Sequence, residues 1–262
     1  GSGFTSIFVE FVLNLRFPNH MSTKPTLYTS LSPALLHLYD LSNSVVVIID
    51  VFRATSTIAA ALYNGARAVI PVDSVPKAIE MGKSIDGIAA GERDGMIAEG
   101  LQHGNSPLEY TREFIENRNL VLTTTNGTRL LQMALDRNAS KIISGSFPNL
   151  SAVCAFLISE GKDVVLGCAG WKDRFNLEDT LFAGAVINRV HEHFTIHCDS
   201  SLMAVKLYEK HAENLLEFAP QLTHYNRLVK RFGLIKDIEF CLTPDVANVL
   251  PLYQDGKLII KK

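Results

Sequence analysis

The residues best placed for chemistry follow an apolar run in residues 45–63, which read VVVIIDVFRATSTIAAALY. Asp50 ends the β-branched run, as expected at the carboxyl end of a buried parallel strand, and Thr55 and Ser56 then open a helix-forming stretch. The start of a helix offers free backbone N–H groups to an anion, and Arg53 offers a charged fork for phosphate or sulfonate oxygens. Asp50 could hold a divalent cation against the same anion. The alternative is a plain turn in which Asp50 pairs with Arg53.

The same order of apolar strand, polar turn and helix start recurs along the chain. A hydroxyl-rich turn covers residues 125–129 and includes Thr125, Asn126, Gly127, Thr128 and Arg129. A second turn carries Gly145 and Ser146, and a charged loop, GERDG, carries Glu92. Because such turns meet at one edge of a parallel sheet, we expect them to form a small-anion site there.

Four carboxylates are expected at this edge, and oxygen ligands of this kind suit magnesium. They are Asp50, Glu92, Glu178 and Asp179. Each could instead cap a helix or form a salt bridge, because acidic residues are favoured in the first turn of a helix.

Cys168 and Arg174 have the C-x5-R spacing of cysteine phosphatases. In such enzymes a thiolate attacks phosphorus while backbone amides and the arginine bind the other oxygens. The intervening residues are not the glycine-rich cradle expected of such a site. A free cysteine at a strand end is more often a small core residue.

Composition excludes several classes of partner. The chain has 262 residues, 47% of them hydrophobic, and 25 basic against 27 acidic residues. A formal charge of −2 gives no basic surface for nucleic acid or an anionic membrane. The apolar residues 4–17 are too short to span a bilayer and are interrupted by Glu10, Asn14 and Arg16. The four cysteines show no CxxC spacing, which favours the reducing cytoplasm.

Alternating strands and helices predict a three-layer α/β/α fold with a mostly parallel, mixed sheet. Residues 106–117 and 199–233 are predicted to be helical, and residues 238–243 are predicted to form a strand. The last segments, residues 249–253 and 257–261, predict a hairpin that forms an antiparallel C-terminal edge. Residues 1–24 are predicted to be an extension or a remnant of cloning, followed by a single domain over residues 25–262.

Several motifs together resemble the 2-phosphosulfolactate phosphatase family. They are IDVFRATSTIAAAL, GERDG, GNSP, TTTNGTRLL, GSFPN, GCAG with RFNLEDTLFAGA, and DIEFCLTPDVANVLP. The resemblance implies an α/β/α fold distinct from the haloacid-dehalogenase phosphatases. It also implies magnesium-dependent hydrolysis of 2-phospho-3-sulfolactate to 3-sulfolactate and phosphate, on a route to coenzyme M.

On this hypothesis Mg²⁺ is held by Asp50 with Glu92 or with the pair Glu178 and Asp179. The helix start with Arg53, Thr55 and Ser56 and the turn at residues 125–129 would bind the phosphoryl and carboxylate end. Arg174, or the turn of Gly145 and Ser146, would bind the sulfonate.

Two alternatives stay open: covalent catalysis by Cys168 with Arg174, and a non-catalytic protein that binds organic anions such as sulfonates. The expected partner is a small anionic phosphate ester, without nucleic acid or membrane, and a homodimer is left open.

Overall fold

The structure is a computed structural model that describes residues 24–261. Almost all of the extension predicted for residues 1–24, including its apolar stretch at residues 4–17, lies outside the described residues. Its role and the domain boundary therefore stay predictions. Among residues 24–261, no helix combines the length and apolar character needed to cross a membrane.

Eleven strands of the described part form one mixed sheet, in the order β5-β4-β6-β3-β11-β10-β7-β2-β8-β1-β9. Their bounds are β1 Thr26–Ser30, β2 Val45–Ile49, β3 Ala68–Pro71, β4 Ile88–Arg93, β5 Met96–Ile97, β6 Asn119–Thr123, β7 Lys141–Gly145, β8 Val164–Cys168, β9 Thr195–Ile196, β10 Pro251–Gln254 and β11 Lys257–Ile260. Six of the strand pairings are parallel and four are antiparallel. This arrangement confirms the predicted α/β class with a mostly parallel sheet.

The helices of the described part alternate with the strands in the first two thirds of the chain and follow one another after β9. Their bounds are α1 Ala54–Tyr63, α2 Val75–Ser84, α3 Arg112–Ile115, α4 Gly127–Asp136, α5 Leu150–Glu160, α6 Leu177–Val190, α7 Asp199–His211, α8 Leu215–Phe218, α9 Thr223–Phe232 and α10 Ile235–Leu242. Short 3-10 helices cover Pro33–Leu38, Phe147–Asn149 and Ala219–Gln221.

The C-terminal hairpin forms as predicted, but it lies inside the sheet rather than at its edge. Strand β10 pairs antiparallel with β7, and β11 pairs antiparallel with β3, so the hairpin joins two groups of parallel strands. The antiparallel strand at the sheet edge is instead the short β5, which pairs with β4. A strand pair with two free edges can accept neighbours on both sides, which is what the hairpin does here.

The antiparallel pairings of β3 with β11, β11 with β10 and β10 with β7 reverse the strand direction from one parallel group to the other. Strands β3, β6 and β4 run opposite to β7, β2, β8 and β1 along the sheet. Neighbouring strands are rotated by about 20–25°, and five steps separate β6 from β2, so the rotation between them exceeds a right angle. Strand ends from the two groups can therefore face a common space, although the simple expectation of one shared sheet edge is wrong.

The central strand β2 shows why the fold has three layers. Val45, Val47 and Ile49 pack in a core cluster with residues of α5 and α6. Val46 and Ile48 point the other way and pack with Leu36 and with residues of α4. Since all five residues of β2 are buried, helices must cover both faces of this strand.

Two local predictions need correction. Residues 238–243 were expected to form a strand, but Ile238, Cys241 and Leu242 are buried on one side of helix α10, at helical spacing. The helix predicted over residues 106–117 is reduced to α3, because Ser106 bonds Asp237 and residues 107–109 form a turn. The helical segment predicted at residues 199–233 is confirmed as α7 to α9, and Gly233 ends α9 with φ +70°.

Candidate active site

Loops from both strand groups and helix α9 line one polar cavity of about 70 Å³. The loops that follow β2, β4, β6 and β8 contribute most of its wall, and the segment before α3 contributes one residue. The lining residues are Asp50, Phe52, Arg53, Glu92, Asp94, Gly95, Asn105, Thr125, Asn126, Trp171, Lys172, His224, Arg227 and Leu228. Acidic and basic side chains thus share a small, partly enclosed space.

Asp50 follows the last residue of β2 and is held by the first turn of α1. Its backbone N–H donates to Thr55 Oγ1 at 3.1 Å, and its carbonyl accepts from Thr55 N at 3.0 Å. Burial raises the pKa of the Asp50 carboxyl, His224 lowers it, and the charges of Glu92 and Glu178 raise it, so that the pKa lies at about 6. Asp50 is therefore a carboxylate whose charge needs a cationic partner.

Gly127 brings the start of helix α4 against Asp50. Its backbone N–H bonds the Asp50 carboxylate, and a Cβ at this position would lie 3.1 Å from Asp50 Oδ2. A side chain here would push against the carboxylate. The glycine therefore provides the space that lets a helix N-terminus, with its positive dipole end, contact Asp50.

Glu92 is fixed by donors from two neighbouring loops. Its Oε2 accepts from Gly95 N at 2.9 Å, and its Oε1 accepts from Thr125 N at 3.3 Å and Thr125 Oγ1 at 3.2 Å. These bonds join the turn after β4 to the turn after β6 and orient the carboxylate beside the cavity. Asp50 and Glu92 are therefore two predicted ligands that share this wall.

Arg53 forms a buried ion pair that sequence analysis did not predict. Its Nη1 donates to Asp237 Oδ2 at 2.6 Å and its Nη2 donates to the Gly95 carbonyl at 3.1 Å. Asp237 lies in α10 and also accepts from Ser106 Oγ at 2.8 Å. The guanidinium thus faces the cavity from a fixed position, because two of its donors are bonded elsewhere.

Glu178 and Asp179 begin helix α6, as predicted, but they have different partners. Glu178 Oε1 is 2.7 Å from His224 Nδ1, and this carboxylate is almost fully buried. Asp179 accepts from Val51 N at 2.9 Å and from Gly170 N at 3.1 Å. Burial, together with Glu178 and Asp50, raises the pKa of Asp179 well above its usual value. Asp179 therefore links the loops after β2 and β8 rather than lining the cavity.

Two cations lie on the Trp171 ring at the mouth of the cavity. Lys172 Nζ is 4.6 Å and Arg227 Cζ is 4.2 Å from the ring centroid. Trp171 follows β8, whereas Arg227 belongs to α9. This contact places a cation from the C-terminal helices against the loop that follows a central strand.

Several predicted binding groups lie outside the cavity. The hydroxyls of Thr55 and Ser56 bond the backbone of residues 50 and 51, and Thr128 bonds Thr124. Gly145 packs between Val47 and Phe182, since a Cβ there would lie 2.7 Å from Val47. The Ser146 hydroxyl donates to Asn149 within a capping box.

The two arginines predicted at the turns are exposed. Arg129 Nη1 pairs with Asp173 Oδ1 at 2.7 Å on the surface. Arg174 closes a tight turn through two backbone bonds to Trp171, and its side chain is exposed outside the cavity. The cavity receives its cationic groups from Arg53, Lys172 and Arg227 instead.

Cys168 is the last residue of β8 and is fully buried. Burial raises the pKa of its thiol well above the usual value, and the nearby charges of Asp179 and Glu178 raise it further. A nucleophilic cysteine needs a low pKa and access to its substrate. The environment of Cys168 is that of a core residue.

No group of three or more His, Cys, Asp or Glu side chains within residues 24–261 is arranged to hold a metal ion. Magnesium needs fewer protein ligands, because it commonly retains waters and binds one or two carboxylates together with substrate phosphates. Asp50 and Glu92 supply such a pair, and a cation bound to both would relieve their mutual repulsion. The described residues therefore fit a divalent cation at this wall of the cavity.

Four functional groups were missed by sequence analysis: Asn105, His224, Arg227 and Asp237. His224 and Arg227 lie in the helical segment 199–233, whose charges were interpreted as a solvated face, and Asp237 lies just before residues 238–243, which were predicted to form a strand. Asn105 lies in the GNSP motif, and its buried Oδ1 has no hydrogen-bond partner. A buried amide oxygen without a partner beside a cavity indicates a ligand-binding group, but its burial can be seen only in the structure.

The fold and cavity define an α/β protein with a cavity of acidic and basic side chains between two groups of parallel strands. The family model for 2-phosphosulpholactate phosphatase matches residues 30–256. This chain belongs to the 2-phosphosulfolactate phosphatase family.

Curated relatives agree with this assignment. A protein of Thermotoga petrophila named probable 2-phosphosulfolactate phosphatase is 41% identical over 217 residues, 82% of this chain and 92% of that protein. Its counterpart from Caldanaerobacter subterraneus subsp. tengcongensis, with the same name, is 38% identical over 83% of this chain and 90% of its own length. A third, from Clostridium beijerinckii, is 36% identical over 82% and 91%. The predicted family is therefore confirmed.

Proposed function

We propose that this protein is a magnesium-dependent phosphatase that hydrolyses 2-phospho-3-sulfolactate to 3-sulfolactate and phosphate. The observation that carries the proposal is the cavity itself, where Asp50 and Glu92 face Arg53, Lys172 and Arg227. A site for a purely organic anion would not place carboxylates against its ligand. A cation bound by the carboxylates and a polyanionic ester bound by the basic groups would neutralise both sets of charges. The names of the family and of the relatives support this substrate.

Asp50 and Glu92 are the residues that would hold the magnesium. When bound, the ion would neutralise phosphate oxygens and lower the pKa of a water molecule. Arg53 would bind the phosphoryl group, because it lines the cavity while Asp237 fixes its orientation. The turn of Thr125 and Asn126 would close the same end.

His224 is proposed as the proton donor to the leaving group. Hydrolysis of an alkyl phosphate must release a hydroxyl, and protonation of the departing oxygen makes that release easier. Glu178 bonds Nδ1 of His224 at 2.7 Å, which leaves Nε2 as the second ring nitrogen, on a side chain that lines the cavity. The buried carboxylate accepts the Nδ1–H and fixes the orientation of the ring, and the proton given to the leaving oxygen would be the Nε2–H of the doubly protonated ring.

The two alternatives predicted from sequence are less well supported. A nucleophilic Cys168 would have to act from a fully buried position with a raised pKa. A receptor that only binds sulfonates leaves the charges of Asp50 and Glu92 without a role. The free state of the four cysteines supports the proposed reducing cytoplasm.

The direct test is release of inorganic phosphate from 2-phospho-3-sulfolactate. Activity should disappear in EDTA and return with added magnesium, and Asp50→Asn should abolish it. Asp136→Asn is a matched control on the exposed end of α4. Full turnover in chelator would reject the role of the metal, and tight binding of 3-sulfolactate without phosphate release from any ester would favour a receptor.

A further inference from the structure

The guanidinium of Arg227 is half-buried in the lining of the cavity. Within residues 24–261, its guanidinium makes no hydrogen bond and no ion pair, although Arg53, Arg129 and Arg112 are each paired with a carboxylate. Burial lowers the pKa of Arg227, and the nearby charges of Glu178, Glu92 and Asp94 act in the opposite direction. A partly desolvated guanidinium with free N–H groups is incomplete without an anion.

Its position is fixed by stacking rather than by an ion pair. The guanidinium carbon lies 4.2 Å from the centroid of the Trp171 ring, and Lys172 Nζ lies 4.6 Å from the same centroid. Stacking occupies the face of the guanidinium but leaves its N–H edge available. Trp171, Lys172 and Arg227 all line the cavity, so both cations that contact the indole belong to its lining.

The proposed substrate carries a second anionic group that would fit beside Trp171, Lys172 and Arg227. Its phosphoryl group would occupy the end with Asp50, Glu92 and Arg53, which leaves a carboxylate and a sulfonate to be recognised. A sulfonate spreads one charge over three oxygens, and a stacked, weakly hydrated guanidinium with a neighbouring ammonium can donate to several of them at once. This inference rests on the proposed function.

We propose that Arg227, supported by Trp171 and Lys172, forms the subsite that binds the sulfonate of the substrate. The subsite replaces Arg174 and the turn of Gly145 and Ser146, which sequence analysis assigned to this group and which lie outside the cavity. Arg227 is thus the residue that distinguishes a sulfonated ester from the corresponding ester without the sulfonate.

Binding can be measured without catalysis, because Trp171 is the only tryptophan of the chain. Titration of the magnesium-loaded protein with 3-sulfolactate should change the emission of Trp171, and lactate should do so only at much higher concentration. Arg227→Met keeps the apolar stem on the indole and removes the charge. It should weaken 3-sulfolactate binding about tenfold to a hundredfold, as expected for a hydrogen bond to a charged group. Equal binding of lactate and sulfolactate, or no loss in the variant, would overturn the proposal.

Kinetics then identify which anion Arg227 binds. The values of kcat/KM are measured for 2-phospho-3-sulfolactate, for 2-phospholactate, which lacks the sulfonate, and for 2-phosphooxyethanesulfonate, which lacks the carboxylate. Arg227→Met should lose activity on both sulfonated esters and little on phospholactate. Loss on the two carboxylated esters alone would assign Arg227 to the carboxylate, and equal loss on all three would assign it to the phosphoryl group; either result rejects the proposal.

The matched control is Arg231→Met. Arg231 lies on the same helix, contacts the Phe232 ring at 5.1 Å and is exposed outside the cavity. It should change neither binding nor selectivity, and thermal unfolding of both variants checks that they fold. If no ester is hydrolysed by the unmodified protein, the proposed function fails while the fluorescence titration still decides the sulfonate subsite.

Discussion

Arg53 and Asp237 form a charge pair across the fold, with 2.6 Å between Nη1 and Oδ2 and only 6% and 7% of their side chains exposed. Arg53 opens the first central helix, whereas Asp237 lies in the last helix of the chain. The pair therefore links the turn that carries Asp50 to a helix from the opposite end of the sequence. Its stability and its role in positioning Arg53 can be tested together.

Asp237→Ala should destabilise the protein by about 3–5 kcal/mol, because it leaves a buried guanidinium without its counter-charge. Urea unfolding followed by circular dichroism measures this loss. Arg112→Ala is the matched control: Arg112 pairs with Glu116 on an exposed helix surface, where a salt bridge contributes about 0–1 kcal/mol. Similar losses of unfolding free energy in the two variants would show that the buried Arg53 pair stabilises the fold no more than an exposed salt bridge does.

Asp50→Asn should stabilise the metal-free protein at pH 8 by about 1–3 kcal/mol, the scale of its pKa shift. The folded pKa is about 6 and the ordinary value is 3.8. Between these values the folded state binds a proton that the unfolded state has released, so this carboxyl lowers stability as the pH rises from about 4 to about 6, and the loss is complete above that. Urea unfolding in EDTA at pH 8 and pH 4.5 should show a smaller difference at the lower pH.

Magnesium provides the complementary measurement for Asp50. The ion should raise the thermal unfolding temperature of the unmodified protein, since a ligand that binds the folded state stabilises it. Asp50→Asn should lose most of this increase, and Asp136→Asn should keep it. A destabilised Asp50→Asn protein at pH 8 without metal would contradict the charge-repulsion argument.

Cys168→Ala should keep phosphatase activity close to that of the unmodified protein, because the thiol is buried and its pKa is raised. Loss of a true nucleophile would lower kcat by several orders of magnitude.

Iodoacetamide should modify Cys198 before it modifies Cys168. Burial raises the pKa of Cys198, but hydrogen bonds from Ser200 and Ser201 lower it overall. Mass spectrometry of tryptic peptides, with Cys198→Ser as the control, identifies the site.

His224→Gln should lower kcat on 2-phospho-3-sulfolactate by about 10²–10⁴, the usual contribution of general acid catalysis. On p-nitrophenyl phosphate the loss should be much smaller, because the nitrophenolate leaves without protonation. Phosphate release from the two esters gives the comparison. An equal loss on both would show that His224 binds or positions the substrate rather than donating a proton.

The predicted fold was most accurate where local pattern and tertiary environment agree. The β-branched run of residues 45–49 predicted a buried strand and forms one, and the first residues after it, which were predicted to form a site, line the cavity. Residues 238–243 show the opposite case. Their apolar content favoured a strand, but the spacing of Ile238, Cys241 and Leu242 fits a helix, and that period was the better signal.

The site could be predicted only in part, because its loops carry recognisable turn residues at strand ends and its helices carry no comparable signal. Asp50, Arg53, Glu92, Thr125 and Asn126 line the cavity together, and all were marked by turn residues at strand ends. His224 and Arg227 lie in α9, where polar residues look like an ordinary solvated surface. Only the packing of α9 against the loop of Trp171 distinguishes them, and this contact spans sequence positions that no local motif connects.

The central position of the C-terminal hairpin sets an order for the biosynthesis of the fold. During translation, strands β1 to β9 emerge before the segment that joins β3 to β7 exists. The two groups of parallel strands then each expose an open edge, one beside Val69 and the other beside Ile143, until residues 251–260 leave the ribosome. A nascent chain arrested before this point presents two unpaired sheet edges to chaperones, and the cavity between the groups is completed last.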